Sequence, residues 1–564
     1  MSKMQLFSRV EIIAQSIWKK KLYQHLLFAS STIIVILLLG YYFGTYDQAI
    51  HLPFLKKYAD PTLFPNDKFL DLRFRHYSYF WFFFIPFYKI GVLEISIFII
   101  HILTTYLTFW ALWNLSKTLF KSTLMSFLTI IVFLVPHIGL SGLTFIEFSL
   151  LNRTFALPFI LIAFNLYLRR KYVPAFFLLG LMYNIHVVSV NFALVMIFFD
   201  CILQYKKIGL KKILLGLFVF IIGAIPVLAW KFGNSQIDFT FRYEWYLTLK
   251  NGILFHLLHS FEGSPLVLLS NAGLFSLIIL LIISCRRPLL KKYNQSIINF
   301  IIAGFIVILI QKITSQWLPF TIIIQSQIMR IDQFVLIFVY LYFIHYLVSS
   351  YELKKLSKVN FYLILFALIF SVFSFIPLII FTLRKYISTI YRAIISAFII
   401  IILLITTAII FINLEIYKPE IHIFGNKLGN YNAQIWARNN TPKDAVFITP
   451  PHIWAFHDLE WRGISERSTV SLLSELLDAA FAPEYITTWK PRFESVAPGA
   501  LEKLKGNFFS NIKIIKQAYY SLSEEDILNI SNKYNAQYHV VEKPYKYNFP
   551  IVYEGNLYTI YKLK

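Results

Sequence analysis

Ionisable side chains are concentrated between Gly44 and His76, directly after the first long apolar segment of the chain. Carboxylates and cations are costly beside an apolar wall, and membrane proteins keep them there for a charged substrate or a reaction that moves charge. This stretch is therefore the first candidate for a functional site. Its ionisable residues include Asp47, His51, Lys56, Lys57, Asp60, Asp67, Asp71, Arg73, Arg75 and His76.

Asp47 is the candidate general base. It follows the apolar segment by a few residues, where a helix end would hold a carboxylate in fixed geometry beside a lipid-borne substrate. Partial desolvation at that depth is expected to raise its pKa towards the working range. The alternative interpretation is a polar interfacial residue that ends the helix.

Asp60 and Asp67 are further catalytic candidates, because they belong to the same acidic stretch. They flank the turn sequence DPTLFPND. Asp before Pro, and Pro-Asn-Asp, are ordinary turn sequences in which the carboxylate accepts hydrogen bonds from nearby backbone amides. A structural role and a share in catalysis both remain open for these two residues.

Three arginines, Arg153, Arg242 and Arg330, fall in predicted outer loops or at outer ends of apolar segments. A guanidinium forms two parallel hydrogen bonds with a phosphate and stays protonated. Each arginine alone is explained by contact with ordinary lipid headgroups, but together they run against the positive-inside trend and predict a phosphate site. The remaining substrate-binding candidates are His51, Glu147 and His186. A histidine at a helix–helix turn is also a common packing residue.

The composition is that of a polytopic membrane protein. Of 564 residues, 58% are hydrophobic and 15% charged, and the mean hydropathy is +0.63. The net charge of +24 comes from short runs beside apolar segments, such as 19–21 and 169–171. That pattern indicates positive-inside loops and argues against nucleic acid as a partner. Two cysteines exclude a disulfide framework.

The apolar pattern predicts a mainly α-helical transmembrane bundle of about 11–13 spans within 26–412. We expect 1–25 to be a cytoplasmic amphipathic segment, 44–76 to be the first outer loop, and the aromatic stretch 77–88 to be an interfacial helix. The candidate spans are 26–43, 91–113, 122–138, 152–168, 172–186, 187–202, 211–230, 266–284, 296–313, 333–349, 360–382 and 390–412.

Residues 413–564 have the composition of a small soluble α/β domain. An even number of spans would place this domain in the cytoplasm, but the basic residues Arg384, Lys385 and Arg392 favour an inside loop and one further crossing. The domain is therefore expected outside. It has no glycine-rich phosphate loop, paired-histidine zinc motif or G-x-S-x-G sequence. Helices are predicted at 430–440, 470–481 and 523–534, and strands within 441–451, 536–543, 550–555 and 557–563.

This organisation resembles the GT-C superfamily of integral-membrane glycosyltransferases, which includes protein O-mannosyltransferases, oligosaccharyltransferases and the aminoarabinose transferases of lipid A. The tail sequences NNTPKDAVFITPP, SERSTV after Arg462, and PIVYEGNLYTIYKLK are similar to C-terminal domains of uncharacterised bacterial members. Two departures leave the acceptor open. The chain has no WWDYG-type motif, and it has Asp47-Gln48 where mannosyltransferases carry two adjacent acids.

The resemblance implies transfer of a sugar from a polyprenyl-phosphate donor to a glycan, lipid or protein acceptor on the outer face of a bacterial inner membrane, with inversion. It implies Asp47 as the base, and Asp60 or Asp67 as an alternative base or for acceptor positioning. Arg330, Arg153 or Arg242 would stabilise the departing phosphate. The hard ligands of the first loop would suit magnesium or manganese, although nothing in the sequence requires a cofactor.

Three other functions remain open. A lipid or polysaccharide transporter or flippase would explain the spans and the outer arginines, but the chain shows no internal repeat. An O-antigen ligase or polymerase would carry its site on a long outer loop late in the chain, whereas the richest loop here is the first. A scaffold of an envelope complex would use the tail as a binding module.

Overall fold

The computed structural model divides into a helical bundle and a C-terminal part built on a five-stranded sheet. It describes residues 16–564 except 19, 136, 138, 140, 142–143, 235–239, 254–264, 286–290, 354–355, 357, 371–397, 399–400, 403–404, 407, 410–411, 413–418, 427–428, 454–458 and 507. The predicted segment 1–25 and the predicted spans 360–382 and 390–412 lie largely outside the described residues.

Within these described residues, five helical stretches are long and apolar enough to cross a membrane. They are Lys21–Leu39, Leu93–Phe120, Leu210–Asn234, Tyr293–Ser315 and Thr321–Glu352. Their length and composition are compatible with a membrane protein. Shorter apolar helices accompany them at Thr123–Val132, Asn152–Leu168, Tyr172–Tyr183, Val187–Leu203 and Asn271–Ser284.

The helices of the bundle follow the predicted apolar segments closely. In chain order they are α1 (Lys21–Leu39), α2 (Asp47–Ala59), α3 (Ile85–Lys89), α4 (Leu93–Phe120), α5 (Thr123–Val132), α6 (Asn152–Leu168), α7 (Tyr172–Tyr183), α8 (Val187–Leu203), α9 (Tyr205–Ile208), α10 (Leu210–Asn234), α11 (Tyr243–Gly252), α12 (Pro265–Cys285), α13 (Lys291–Trp317), α14 (Thr321–Ser326), α15 (Asp332–Glu352) and α16 (Lys358–Phe370). Short 3₁₀ turns occur at Leu70–Arg75, Trp81–Phe84 and Ile328–Ile331. The helix α2 differs from the prediction, which made 44–76 a loop.

The core of the bundle forms around α15, which is buried on all sides from Phe334 to Ile344. A helix that is apolar all round belongs in the interior. The ring of Phe338 lies 5.2 Å from that of Phe164 on α6 and 5.5 Å from that of Phe300 on α13. This packing fixes the beginning of α15 and, directly before it, the 3₁₀ turn that carries Arg330.

The C-terminal part confirms the predicted small sheet domain. Its sheet has the order β4-β3-β5-β7-β6, with β3 parallel to β4 and β5, and β7 antiparallel to β5 and β6. Its strands are β3 (Val446–Ile448), β4 (Ser468–Thr469), β5 (Tyr538–Glu542), β6 (Ile551–Glu554) and β7 (Tyr558–Lys562). Its helices are α17 (Tyr431–Asn440), α18 (Trp461–Ser465), α19 (Leu476–Ala479), α20 (Ile486–Val496), α21 (Phe508–Tyr520) and α22 (Glu524–Tyr534), with 3₁₀ turns at Leu473–Glu475, Pro483–Tyr485 and Leu501–Lys503.

Alternate residues of β3 face opposite sides of this sheet, as the two-residue period of a strand requires. Phe447 packs with Ala437 of α17 in one cluster. Val446 and Ile448 pack with Tyr519 of α21 in another. Helices therefore cover both faces of the sheet. The predicted helix 470–481 forms only in part, as a 3₁₀ turn followed by α19.

The C-terminal domain packs on the first loop. The short strands β1 (Tyr41–Tyr42) and β2 (Ile421–His422) pair in parallel, which joins the end of the first helix to the chain that enters the domain. Lys56 of α2 forms a buried ion pair with Glu466, at 2.9 Å. The loop and the domain therefore lie at the same end of the bundle, whatever the number of crossings between them.

Candidate functional site

Six of the predicted site residues come together at this end of the bundle. At their centre, Arg153 in the first turn of α6 donates two parallel hydrogen bonds to Glu147, both 2.7 Å long. Its third guanidinium nitrogen, Nη1, lies 2.5 Å from Oδ2 of Asp47, the first residue of α2. Arg153 is thus held between two carboxylates, in the bidentate geometry that makes such pairs strong.

Gln48 fixes the start of α2 beside this arginine. Its buried side chain accepts a hydrogen bond from the Gly44 backbone N–H, at 2.7 Å, and donates one to the Leu150 carbonyl, at 3.1 Å. Gly44 has φ +77°, and a Cβ there would lie 2.9 Å from Leu459, so glycine suits the position. Gln48 therefore ties the Asp47 turn to the Glu147 loop.

Arg330 is half-buried and forms no ion pair with the residues that the structure describes. No hydrogen bond or ion pair joins its side chain to any residue that the structure describes, and its Nε is buried without a partner. It nevertheless lies within electrostatic range of Asp47, Glu147 and Arg153. A guanidinium with unused donors is suited to bind an anion. We call Asp47, Glu147, Arg153 and Arg330 the open cluster.

Asp332 anchors the loop before Glu147 to the turn that carries Arg330. Its carboxylate is fully buried and accepts hydrogen bonds from the backbone N–H and the hydroxyl of Ser141, at 2.7 and 3.1 Å. A Cβ on Gly139 would lie only 2.2 Å from the same carboxylate, so the backbone must approach closely there. The buried Asp332 therefore holds together the loop that precedes Glu147 and the turn that carries Arg330.

The two predicted histidines lie at the edge of the open cluster. His51 follows Asp47 by one helical turn, and its ring centroid is 5.2 Å from that of Trp81. His186 precedes α8, and its Nδ1 accepts a hydrogen bond from the Ser189 backbone N–H, at 3.1 Å. His186 thus has the packing role foreseen as the alternative, while it remains in electrostatic range of Arg330.

The charge state of Asp47 differs from our expectation. Burial alone would raise its pKa, but the nearby Arg153 and Arg330 more than offset burial and lower the pKa to about 2. The predicted upward shift is therefore wrong, and Asp47 carries a negative charge at neutral pH. Burial, reinforced by nearby cations, holds the pKa of His51 well below its usual range, so this imidazole is neutral.

Three predicted residues, Asp60, Arg242 and Asp67, lie apart from the open cluster. Asp60 accepts hydrogen bonds from the backbone N–H and hydroxyl of Thr62, at 2.9 and 2.6 Å, and pairs with Lys443 at 2.9 Å. This is the turn chemistry foreseen for it. Arg242 is exposed at the beginning of α11.

Asp67 belongs to a second cluster, which joins the first loop to the C-terminal domain. Arg462 donates hydrogen bonds to Asp67, Glu460 and Glu475, the shortest to each being 2.6, 2.7 and 2.6 Å. All four side chains are at most 2% exposed. We call these four residues the closed network. Its position makes Asp67 a structural contact between the two parts.

Sequence reasoning missed the residues that hold these clusters together. Gln48 and Asp332 act through hydrogen bonds to distant loops, which no local pattern shows. A usable signal existed for Asp332, since it is a carboxylate next to a predicted outer arginine at the start of an apolar segment.

Among the residues that the structure describes, the hard-ligand set that would suit magnesium or manganese is not assembled. In the described ranges, no group of three or more His, Cys, Asp or Glu side chains is placed to hold a metal ion. Both carboxylates of the open cluster are already bonded to Arg153.

Comparison with protein families gives one match, to a domain of unknown function, DUF6798, over residues 431–496. The matched stretch includes β3, β4 and α20, together with Arg462 and Glu466, through which the domain contacts the first loop. A comparison with the curated proteins gave no match. The match covers part of the C-terminal domain and carries no activity with it.

Proposed function

We propose that the protein is a polytopic inner-membrane glycosyltransferase of the GT-C type. It would transfer a sugar from a polyprenyl-phosphate donor to an acceptor at the end of the bundle where the first loop meets the C-terminal domain. One observation carries the proposal. Arg330 is half-buried and has no ion-pair partner among the described residues, and it lies beside an arginine that two carboxylates hold, at the end of an apolar helical bundle.

Arg330 would bind the donor phosphate. As the bond between the anomeric carbon and the phosphate oxygen breaks, negative charge grows on the departing phosphate, and a preorganised guanidinium stabilises it. Arg153 is less available for this role, because Glu147 and Asp47 occupy its donors. The open cluster has two carboxylates and two guanidinium groups, so an anionic ligand at Arg330 would leave the net charge of the site negative.

Asp47 would face the donor sugar. Glycosyl transfer passes through a transition state with positive charge near the anomeric carbon, which a fixed carboxylate stabilises. Its pKa of about 2 suits this role better than that of a proton acceptor. Asp47 as the base remains a prediction from the resemblance.

The test is release of polyprenyl phosphate by purified full-length protein from a panel of synthetic polyprenyl-phosphate sugars. Wild type should turn over at least one donor, and Asp47→Asn should lose the activity. Asp60→Asn is the matched control, since it makes the same change in the same loop at a surface carboxylate. Equal rates in the two variants, or no turnover of any donor by wild type, would overturn the proposal. Movement of the intact donor across vesicles without release would favour the lipid-transporter alternative.

A further inference from the structure

The C-terminal domain contributes a carboxylate to a histidine of the first loop. Nε2 of His76 lies 3.1 Å from Oδ1 of Asp478, a residue of α19. The Asp478 side chain is 8% exposed, whereas that of His76 is 20% exposed. An aspartate that is buried behind a more accessible imidazole is the arrangement that orients a histidine for proton transfer.

This pair is contiguous with the open cluster. The ring centroids of His76 and His51 are 4.7 Å apart, and His51 lies one helical turn after Asp47. The ring of Phe54, one turn further along α2 than His51, lies 4.9 Å from the imidazole of His76. An ion pair between the neighbouring Arg75 and Glu484 of the C-terminal domain also holds this part of the loop. The imidazole of His76 is therefore held in place beside the site.

Nε2 of His76 and Oδ1 of Asp478 lie at ion-pair distance. A carboxylate at that distance stabilises the imidazolium that forms when a histidine takes up a proton. His51 could not act in this way as readily, because its Nδ1 is buried without a partner and its ring has no carboxylate bonded to it among the described residues.

We propose that His76, oriented by Asp478, is the catalytic base that removes the proton from the acceptor hydroxyl, and that the C-terminal domain thereby completes the active site. This inference rests on the proposed glycosyl transfer. The acceptor oxygen forms its bond to the anomeric carbon while the bond from that carbon to the phosphate oxygen breaks. The electron pair leaves with the phosphate towards Arg330, and the hydroxyl proton moves to the imidazole of His76. In this sequence Asp478 is a positioning residue.

The experiment measures steady-state transfer with the full-length His76→Ala and Asp478→Asn variants. We expect His76→Ala to lower kcat by about 100-fold or more, as for loss of a general base, with donor KM unchanged. Added imidazole should restore part of the rate, which it would not do for a purely structural histidine. Asp478→Asn should lower kcat by at least about 10-fold without changing the acceptor KM. The matched control is Asp444→Asn, an exposed carboxylate of the same domain, which should keep the wild-type rate.

The possible failures are distinguishable. If wild type transfers sugar and Asp47→Asn does not, while His76→Ala and Asp478→Asn keep the wild-type rate, the base assignment is overturned and the proposed function stands. A loss in His76→Ala that imidazole does not restore, with a normal rate in Asp478→Asn, overturns it as well. If wild type turns over no donor, both proposals fail together.

Discussion

The open cluster and the closed network are both built from arginine and carboxylate side chains. They differ in whether each guanidinium is bonded to a carboxylate and in how far the side chains are exposed. In the closed network, one guanidinium serves three carboxylates, and all four side chains are at most 2% exposed. In the open cluster, Arg153 serves two carboxylates, the Asp47 side chain is 26% exposed, and Arg330 has no partner among the described residues. The first arrangement joins two parts of the chain, whereas the second keeps a cation available for a ligand.

The difference has an energetic meaning. A buried ion pair repays the cost of desolvation only when its geometry is good and its remaining hydrogen bonds are made. Arg462 meets that condition by bonding to three side chains. Arg330 does not, since its Nε is buried without an acceptor in the part of the chain that the structure describes. A protein tolerates such a local cost mainly where function requires it, which is why the open cluster is the better candidate for binding.

The largest expected effect is loss of the closed network. Replacing Arg462 by Met would leave three buried carboxylates without their cation, and breaking a buried pair from one side costs about 3–5 kcal/mol. We expect the thermal unfolding midpoint to fall sharply. The matched control is Arg438→Met, because Arg438 pairs with Glu466 but its side chain is 43% exposed. That variant should lose less than about 1 kcal/mol. Similar losses in the two variants would contradict the assignment of the closed network as the stabilising contact.

The second prediction is that replacing Arg330, unlike replacing Arg462, lowers the rate of donor turnover and not the stability. Because no hydrogen bond or ion pair joins its guanidinium to any residue that the structure describes, Arg330→Ala should leave the unfolding midpoint unchanged or slightly higher. The rate of donor turnover should fall by about 100- to 1,000-fold, as for removal of one donor to a developing oxyanion. Arg242→Ala, which removes an exposed arginine on α11, should retain wild-type turnover. A large drop in stability with Arg330→Ala would show that this arginine is a structural residue.

The sequence predicted the helices of the bundle better than the contacts between them. The bounds 152–168 and 187–202 reproduce α6 and α8 almost to the residue, because an apolar run of that length has few other stable structures. The helix α2 was missed, since Pro53 lies inside it and its buried cations, such as Lys57, resemble loop residues. Buried cations of this kind are stable in a helix only when other parts of the chain accept their hydrogen bonds. Lys57 donates to the carbonyl of Pro61, at 3.1 Å.

The candidate site shows the same limit. Residue chemistry alone selected Asp47, Arg153 and Arg330, because charge beside an apolar segment is informative wherever it occurs. It could not separate Asp67 from Asp47, since the partner of Asp67 is Arg462, 395 residues later in the chain. It also gave the wrong direction for the pKa of Asp47, because the two arginines that lower it come from distant segments. Tertiary placement decides such pairings, and a single sequence does not encode it locally.

The third prediction uses the excess of carboxylates in the closed network. Burial raises the pKa of Glu460 to about 7 from 4.5, and Arg462 offsets this only in part. The folded protein therefore holds this proton more tightly than the unfolded chain. The associated stability is fully present below pH 4.5 and is lost as the pH rises through about 7. At about 1.4 kcal/mol per pKa unit, the shift corresponds to about 3 kcal/mol.

Glu460→Gln should remove this dependence. The amide oxygen can still accept the hydrogen bond from Arg462, and it carries no charge. We expect the variant to be more stable than wild type at pH 8 and nearly equal to it at pH 5, in unfolding measured at both values. Asp444→Asn, at an exposed position of the same domain, controls for the general effect of removing a negative charge. A Glu460→Gln variant that is less stable than wild type at pH 8 would show that the charged form is the stabilising one.

The smallest change in the free energy of unfolding is expected at Asp60, which belongs neither to the open cluster nor to the closed network. Hydrogen bonds from Thr62 and the nearby Lys443 lower its pKa to about 2 from 3.8, so the folded state binds this proton less tightly than the unfolded chain. The stability that follows is present above pH 3.8 and is lost as the pH falls through about 2. Since the pair with Lys443 is at the surface, Asp60→Asn should cost less than about 1 kcal/mol at pH 7, and less still at high salt. Lys443→Met should cost a similar amount of stability, and the double variant should cost less than the sum of the two.

Sugar transfer by Asp60→Asn should equal that of wild type, because its carboxylate is bonded to Thr62 and Lys443 and to no described member of the open cluster. Loss of transfer in this variant would return Asp60 to the active site and remove the distinction on which the comparison of the two clusters depends.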